Sequence, residues 1–207
     1  MQRPRLADPV RLAVAAVLAL AVSAPALADD CLDQQVAGGT DTPAPLISGW
    51  QWAQTFTCEA GGELSRLEVE YDAGGTPPGT VSLQLRSTVD GHPDSGEAAL
   101  LATVDLPIVA GPGVQTLALD LGAAGVIVYP GDVLAAVLVT ETPGYDVFTC
   151  ARWRGYQSDA YAGGQAFYKA SVLDWVAQET VDLTVSCYLD CATPVAGRSW
   201  SAVKGLF

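Results

Sequence analysis

The sequence predicts an all-β protein, an antiparallel β-sandwich of jelly-roll type. Three observations carry that expectation. From about residue 49 to about residue 190 apolar residues recur with a period of two, the signature of half-buried strands. Gly- and Pro-rich turns interrupt the apolar runs every 8–15 residues or so, the rhythm of sandwiches and jelly rolls. No segment before the C-terminal tail shows sustained helical periodicity.

The chain opens with Arg3, Arg5 and Arg11, an unbroken apolar run from Leu12 to Val22, and Ala26-Leu27-Ala28. That order matches an export signal with its small-x-small cleavage site. The run is well short of the roughly 20 residues that a membrane-spanning helix needs. Residues 1–28 are therefore expected to be cleaved, leaving a secreted, extracellular or periplasmic protein that starts at Asp29. Asp29 and Asp30 separate Ala28 from Cys31, so lipidation at the cleavage site is not expected.

Residues 29–48 are rich in Gly, Pro and Thr and read as an extended lead-in. The sandwich domain is expected over 49–190. Leu67, Val69 and Tyr71 alternate with Glu68, Glu70 and Asp72, and Val81, Leu83 and Leu85 with Ser82, Gln84 and Arg86. Leu117, Leu119 and Leu121 form a third such row, and Leu183, Val185 and Cys187 a fourth. Val133–Val139 is apolar throughout, as in a central strand covered on both faces. Residues 191–207 form a linker and tail in which Trp200, Val203 and Leu206 recur every third position. One or two turns of amphipathic helix, or a docking or sorting tail, are the readings there.

Composition narrows the function classes. The chain has 23 Asp and Glu against 10 Lys and Arg, a net charge of −13. A surface this acidic repels phosphate backbones, so nucleic acid is not an expected partner. No later segment is apolar for long enough to span a membrane as a helix. His92 is the only histidine, which removes multi-histidine metal sites, and neither a nucleophile elbow nor a phosphate-binding loop is present. Catalysis is not expected; a carboxylate-dependent glycoside hydrolase is the weaker alternative.

All five cysteines follow the export signal, which favours disulfides over metal-bound thiols. Cys31 and Cys191 bracket the sandwich, so a bridge between them would clasp its termini. Cys58 and Cys150 are candidates to meet across the core, with Cys187 able to replace either. Five is odd, so one thiol at least is left over.

Two further features bear on binding. The loop Asp90-Gly-His-Pro-Asp94-Ser-Gly-Glu97 offers Asp90, Asp94 and Glu97 to a structural calcium ion, the one cofactor the sequence admits. The ordinary alternative is a hairpin turn in which Asp caps its own backbone. Aromatic residues concentrate near the two ends of the domain, and Trp153, Tyr156, Tyr161 and Tyr168 are candidates to stack on sugar rings. Their ordinary role would be core packing.

Short pieces of the chain resemble a diffuse group of bacterial secreted β-sandwich modules. They are Gln54-Thr-Phe-Thr57, Gly62–Val69, Pro78–Arg86 with its Asp-Gly-x-Pro turn, Tyr129-Pro-Gly-Asp132, Tyr161–Ala166, Asp174-Trp175 and Asp182-Leu183. These modules belong to choice-of-anchor proteins and are similar to carbohydrate-binding jelly rolls, and their functions are largely unassigned. The resemblance implies the fold and, with the aromatics, a non-catalytic module binding a polysaccharide or surface glycan. The alternative is a structural or adhesive role against another surface protein.

Overall fold

The computed structural model describes residues 30–74, 79–109, 111–140, 150–170 and 173–191. The expected export signal and residues 192–207 of the tail lie outside the described residues. The strands are β1 (Asp30–Val36), β2 (Asp41–Pro45), β3 (Trp50–Thr57), β4 (Gly62–Asp72) and β5 (Gly79–Val89). Next come β6 (His92–Pro93), β7 (Leu100–Ile108), β8 (Val114–Asp120), β9 (Ile127–Val128) and β10 (Val133–Thr140). The series closes with β11 (Arg152–Tyr156), β12 (Ala166–Ala170), β13 (Val176–Ala177), β14 (Asp182–Leu183) and β15 (Val185–Asp190). Among the described residues the one helical element is a 3-10 turn at Glu97–Ala99.

The strands form two antiparallel sheets packed face to face, the sandwich the sequence predicts. Its backbone is a pair of four-stranded orders, β1-β15-β4-β8 in one sheet and β3-β10-β5-β7 in the other. Along these eight strands the chain changes sheet at every step except the β5–β7 connection, which is jelly-roll order. β11 extends the first sheet along the far half of β4, where it also pairs with β2 and β14. β12 adds to the free edge of β3 and carries β13 outside it.

Local sequence explains the layering. In β4 from Leu67 to Tyr71 and in β5 from Val81 to Leu85 every second side chain is buried, because successive side chains of a strand point to opposite faces. Trp153, Tyr71, Phe56, Leu67, Leu83 and Leu138 are the large members of the single main core. β10 is covered on both sides, as its unbroken apolar run implies. Leu134, Ala136 and Leu138 face the core, while Ala135 and Val137 join Ala53 and Phe167 in a second, smaller cluster on the outer face.

The lead-in requires correction. Residues 30–45 are not a separate approach to the domain but part of it, since β1 pairs with β15 and β2 with β11. Gly, Pro and Thr weaken the strand signal there, yet β1 is held from both ends of the chain. Cys31 and Cys191 form a disulfide with Cα atoms 5.7 Å apart, and it joins β1 to the residue that follows β15. Cys58 does not bridge to Cys150. Cys58 and Cys187 are buried thiols of the main core, and Cys150 is buried as well.

Close approach between strands sets one residue type. A side chain at Gly155 of β11 would begin 2.1 Å from the carbonyl oxygen of Asp182, so only glycine lets β14 pair there.

Two stability outcomes follow from this packing. Trp153→Ala is expected to cost about 3–5 kcal/mol in urea unfolding, and a cost under about 1 kcal/mol would show that the site is not core. The Cys31→Ser/Cys191→Ser pair, which opens a loop of 160 residues, is expected to cost about 2–5 kcal/mol in the same measurement. An unchanged midpoint would mean that the clasp adds nothing.

Candidate functional site

The aromatic residues that the sequence groups as one patch do not share a surface. Trp153 is fully buried, and its indole N–H donates to the carbonyl of Thr184 at 2.8 Å. It therefore presents no face to a sugar, a correction that follows from strand alternation: Trp153 and Gly155 of β11 point inward, Arg152, Arg154 and Tyr156 outward. Tyr156 donates to the carbonyl of Ala37 at 2.6 Å, and Tyr161 to Oε1 of Gln34 at 2.7 Å. The two hydroxyls thus tie the end of β11 and the loop before β12 to the β1 region. Tyr168 lies beside Trp50 and Trp52, with ring centroids 5.0 and 5.1 Å away, on the other sheet.

The proposed calcium loop also has another arrangement. Asp90 (φ 52°) and Gly91 (φ 78°) are the two central residues of a two-residue hairpin, since Val89 pairs with His92. Asp-Gly with both φ positive is the turn such a hairpin prefers. Asp94 spends Oδ1 on the backbone N–H of Gly96 at 2.7 Å, and Glu97 starts the 3-10 turn. Among the described residues no three acidic, histidine or cysteine side chains converge on a point that could hold a metal ion. Asp90, Asp94 and Glu97 are not brought together.

What the fold does bring together is this loop and Trp175, some 80 residues later. The hairpin folds over the outer face of the β3–β10–β12 sheet, where the His92 ring lies 4.9 Å from that of Phe167. Trp175 packs on the same apolar cluster from the other side. Ser95 joins them: its Oγ accepts from Trp175 Nε1 at 3.0 Å and from Lys169 Nζ at 2.8 Å. Lys169 also lies 5.6 Å over the Trp175 ring. Arg86 Nη1 holds the loop in place through the carbonyls of Asp94 and Gly96, each at 3.1 Å.

The result is a concavity of about 370 Å³ bounded by Val89, His92, Pro93, Asp94, Ser95, Asp174 and Trp175. It lies within the size range of small-ligand sites. A hydroxyl has two acceptor positions and one proton; with both acceptor positions of Ser95 filled, its proton is left for a further acceptor. Asp174 is exposed and Asp94 keeps one oxygen unspent, so acceptors stand beside a partly exposed indole. The surroundings are unusually apolar for a rim, with Val89, Leu173 and Val176 each at least half exposed. Among the described residues no hydrogen bond joins His92 to a carboxylate or a hydroxyl, so the loop holds no charge-relay pair.

Sequence reasoning named Asp94 as a calcium ligand and Asp174-Trp175 as a piece of the resemblance. No local signal links them, and Ser95 carries none as a binding residue. No protein-family model matches the chain, and no curated protein matches it, so comparison adds neither a family nor an activity to this geometry.

Two carboxylates lie elsewhere, Asp182 buried and Asp33 half-buried, and both hold backbone amides. Asp182 accepts the N–H groups of Ala160 and Tyr161 at 2.6 and 2.7 Å, and burial holds its pKa above the ordinary value despite those bonds. Asp33, at a bulge in β1, accepts the Ala60 N–H at 2.7 Å through Oδ1. Its Oδ2 is enclosed without a hydrogen-bond partner, and burial raises its pKa too. A carboxyl with a raised folded pKa binds its proton more tightly in the native state. The stability it contributes is complete below about pH 4 and is lost as pH rises through the folded value. Asp33→Asn mimics the protonated form, so the variant should gain in melting temperature over the parent as pH goes from about 4 to about 7. Parallel profiles for the two proteins would refute that assignment.

Proposed function

We propose that this protein is an exported, non-catalytic β-sandwich module that binds a carbohydrate in the pocket between the Asp90–Glu97 loop and Trp175. The observation that carries this reading is the composition of the pocket. One indole face, two carboxylates with spare acceptor capacity and one hydroxyl surround a space of about 370 Å³. Sugars offer apolar C–H faces and a fringe of hydroxyls, and this set answers both. The aromatic supplies stacking area and the polar groups fix orientation.

Export is supported by residues 1–28 as a sequence and by the Cys31–Cys191 disulfide, which favours an oxidising compartment. Among the described residues no helix is long and apolar enough to cross a membrane. The non-catalytic reading rests on the single histidine, which stacks on Phe167 rather than pairing with an acid. The exposed rim of Val89, Leu173 and Val176 favours a second reading, an adhesive contact with another surface protein. On that reading the pocket residues would matter only as part of a larger patch.

The two are separated by retention of the purified protein on a panel of insoluble and immobilised polysaccharides. Selective retention is expected, with Trp175→Ala weakening it by more than about tenfold, about 1.4 kcal/mol, while the melting temperature stays close to that of the parent. Retention unchanged in Trp175→Ala, or none on any glycan, would overturn the carbohydrate reading and leave the adhesive one.

A further inference from the structure

Apart from the pocket beside Trp175, a groove of about 770 Å³ lies at one end of the sandwich. Its walls come from the start of β7, the start of β10 and the segment that leads into β9. Leu100, Leu101, Val126, Ile127 and Val133 give it apolar side chains, and Asp132 stands with polar groups among them. Ile127 is 46% exposed and the adjacent Tyr129 57%. A groove that sets exposed apolar side chains beside polar groups can take an amphipathic segment, which has both to offer.

The chain itself supplies a segment that fits. Leu189 of β15 pairs with Leu64 of β4, and on the same strand Gly62 pairs with Val128, which lines the groove. The Leu189 side chain lies 3.5 Å from where a side chain at Gly62 would begin. Cys191, the residue after the last strand, therefore lies about two strand spacings, about 10 Å, from the groove wall, and its disulfide holds it there. Nine residues further on comes Trp200, followed by Val203 and Leu206 at every third position. An extended chain advances about 3.3 Å per residue, so this apolar face reaches the groove with length to spare.

Charge agrees with shape. The segment carries Arg198 and Lys204 in a protein of net charge −13. Around the groove stand Asp132, Glu63 opposite Ile127, and Glu97 at the turn that leads into Leu100. We propose that residues 192–207 dock in this groove of their own chain, with Trp200, Val203 and Leu206 against Leu101, Val126 and Ile127. Arg198 and Lys204 then lie towards the acidic rim. The tail is thereby held against the sandwich, and a sorting or surface partner has to displace it before it can be captured.

The test is 19F NMR on the intact protein labelled with 5-fluorotryptophan, with the Trp200 signal identified by its loss in Trp200→Phe. In the parent this signal is expected to be protected from a soluble gadolinium chelate, and to lose at least about half of that protection in Ile127→Asp. Ile127 is exposed enough for the substitution to leave the fold intact, which the unchanged signals of the other tryptophans would report. A synthetic peptide of residues 192–207 should bind the protein truncated after Cys191, and bind its Ile127→Asp form at least about tenfold more weakly. Equal exposure of Trp200 in parent and variant would overturn the proposal. So would protection that grows with protein concentration, because the tail would then be docking on a second copy. Polysaccharide retention does not enter these readouts, so the two proposals stand or fall separately.

Discussion

The structure depends on one buried polar connection between its sheets. Gln54 points inward from the middle of β3 and is fully buried, where an unpaired amide would cost about 1–3 kcal/mol. Its Oε1 accepts the Leu183 N–H at 2.7 Å from the opposite sheet, and its Nε2 donates to Asp182 and to the Thr55 carbonyl. Asp182 in turn holds the amides of Ala160 and Tyr161, and the Tyr161 hydroxyl reaches Gln34 of β1. Apolar faces slide over one another at little cost, whereas this chain of bonds has one register in which each link is made. It locates β14, the loop before β12 and β1 relative to β3.

The edges are secured differently. β1 is an outer strand with one free edge, and the Cys31–Cys191 bridge ties it to the end of β15, with which it shares a ladder. The bridge constrains the ends of the domain while Cys58 and Cys187 stay as buried thiols. Burial pushes the Cys58 thiol up to about 12 and raises that of Cys187 as well, so neither offers a thiolate for exchange near neutral pH.

The pocket follows from the same layering. A strand buried on both faces, β10, needs a cover on its outer side. The Asp90–Glu97 hairpin and the Trp175 segment provide it over Ala135, Val137 and Phe167. Where two covering loops meet without closing, a concavity remains, and Ser95 is the hydrogen-bonded joint between them. The concavity is thus a by-product of covering a central strand, with its polar groups set above the Ala135, Val137 and Phe167 cluster.

The alternation in β4, β5, β8 and β15, the double burial of β10 and the Asp-Gly hairpin were all legible in the sequence. Each is a property of neighbouring residues, set by the two-residue period of a strand or by the φ preference of a turn. The clasp at Cys31 and Cys191 was legible as well, from the way the pair brackets the domain. Sequence could not show that Trp153 points inward, because one residue of register reverses the face of every side chain in β11. Nor could it join Ser95 to Trp175 or separate Cys58 from Cys150. Such contacts are set by how distant strands align, and that alignment is decided only when the sheets pack. Sequence alone determined the strands and their dry faces; the packed sheets decided which of the remaining side chains meet, because side-chain direction is local and encounter is not.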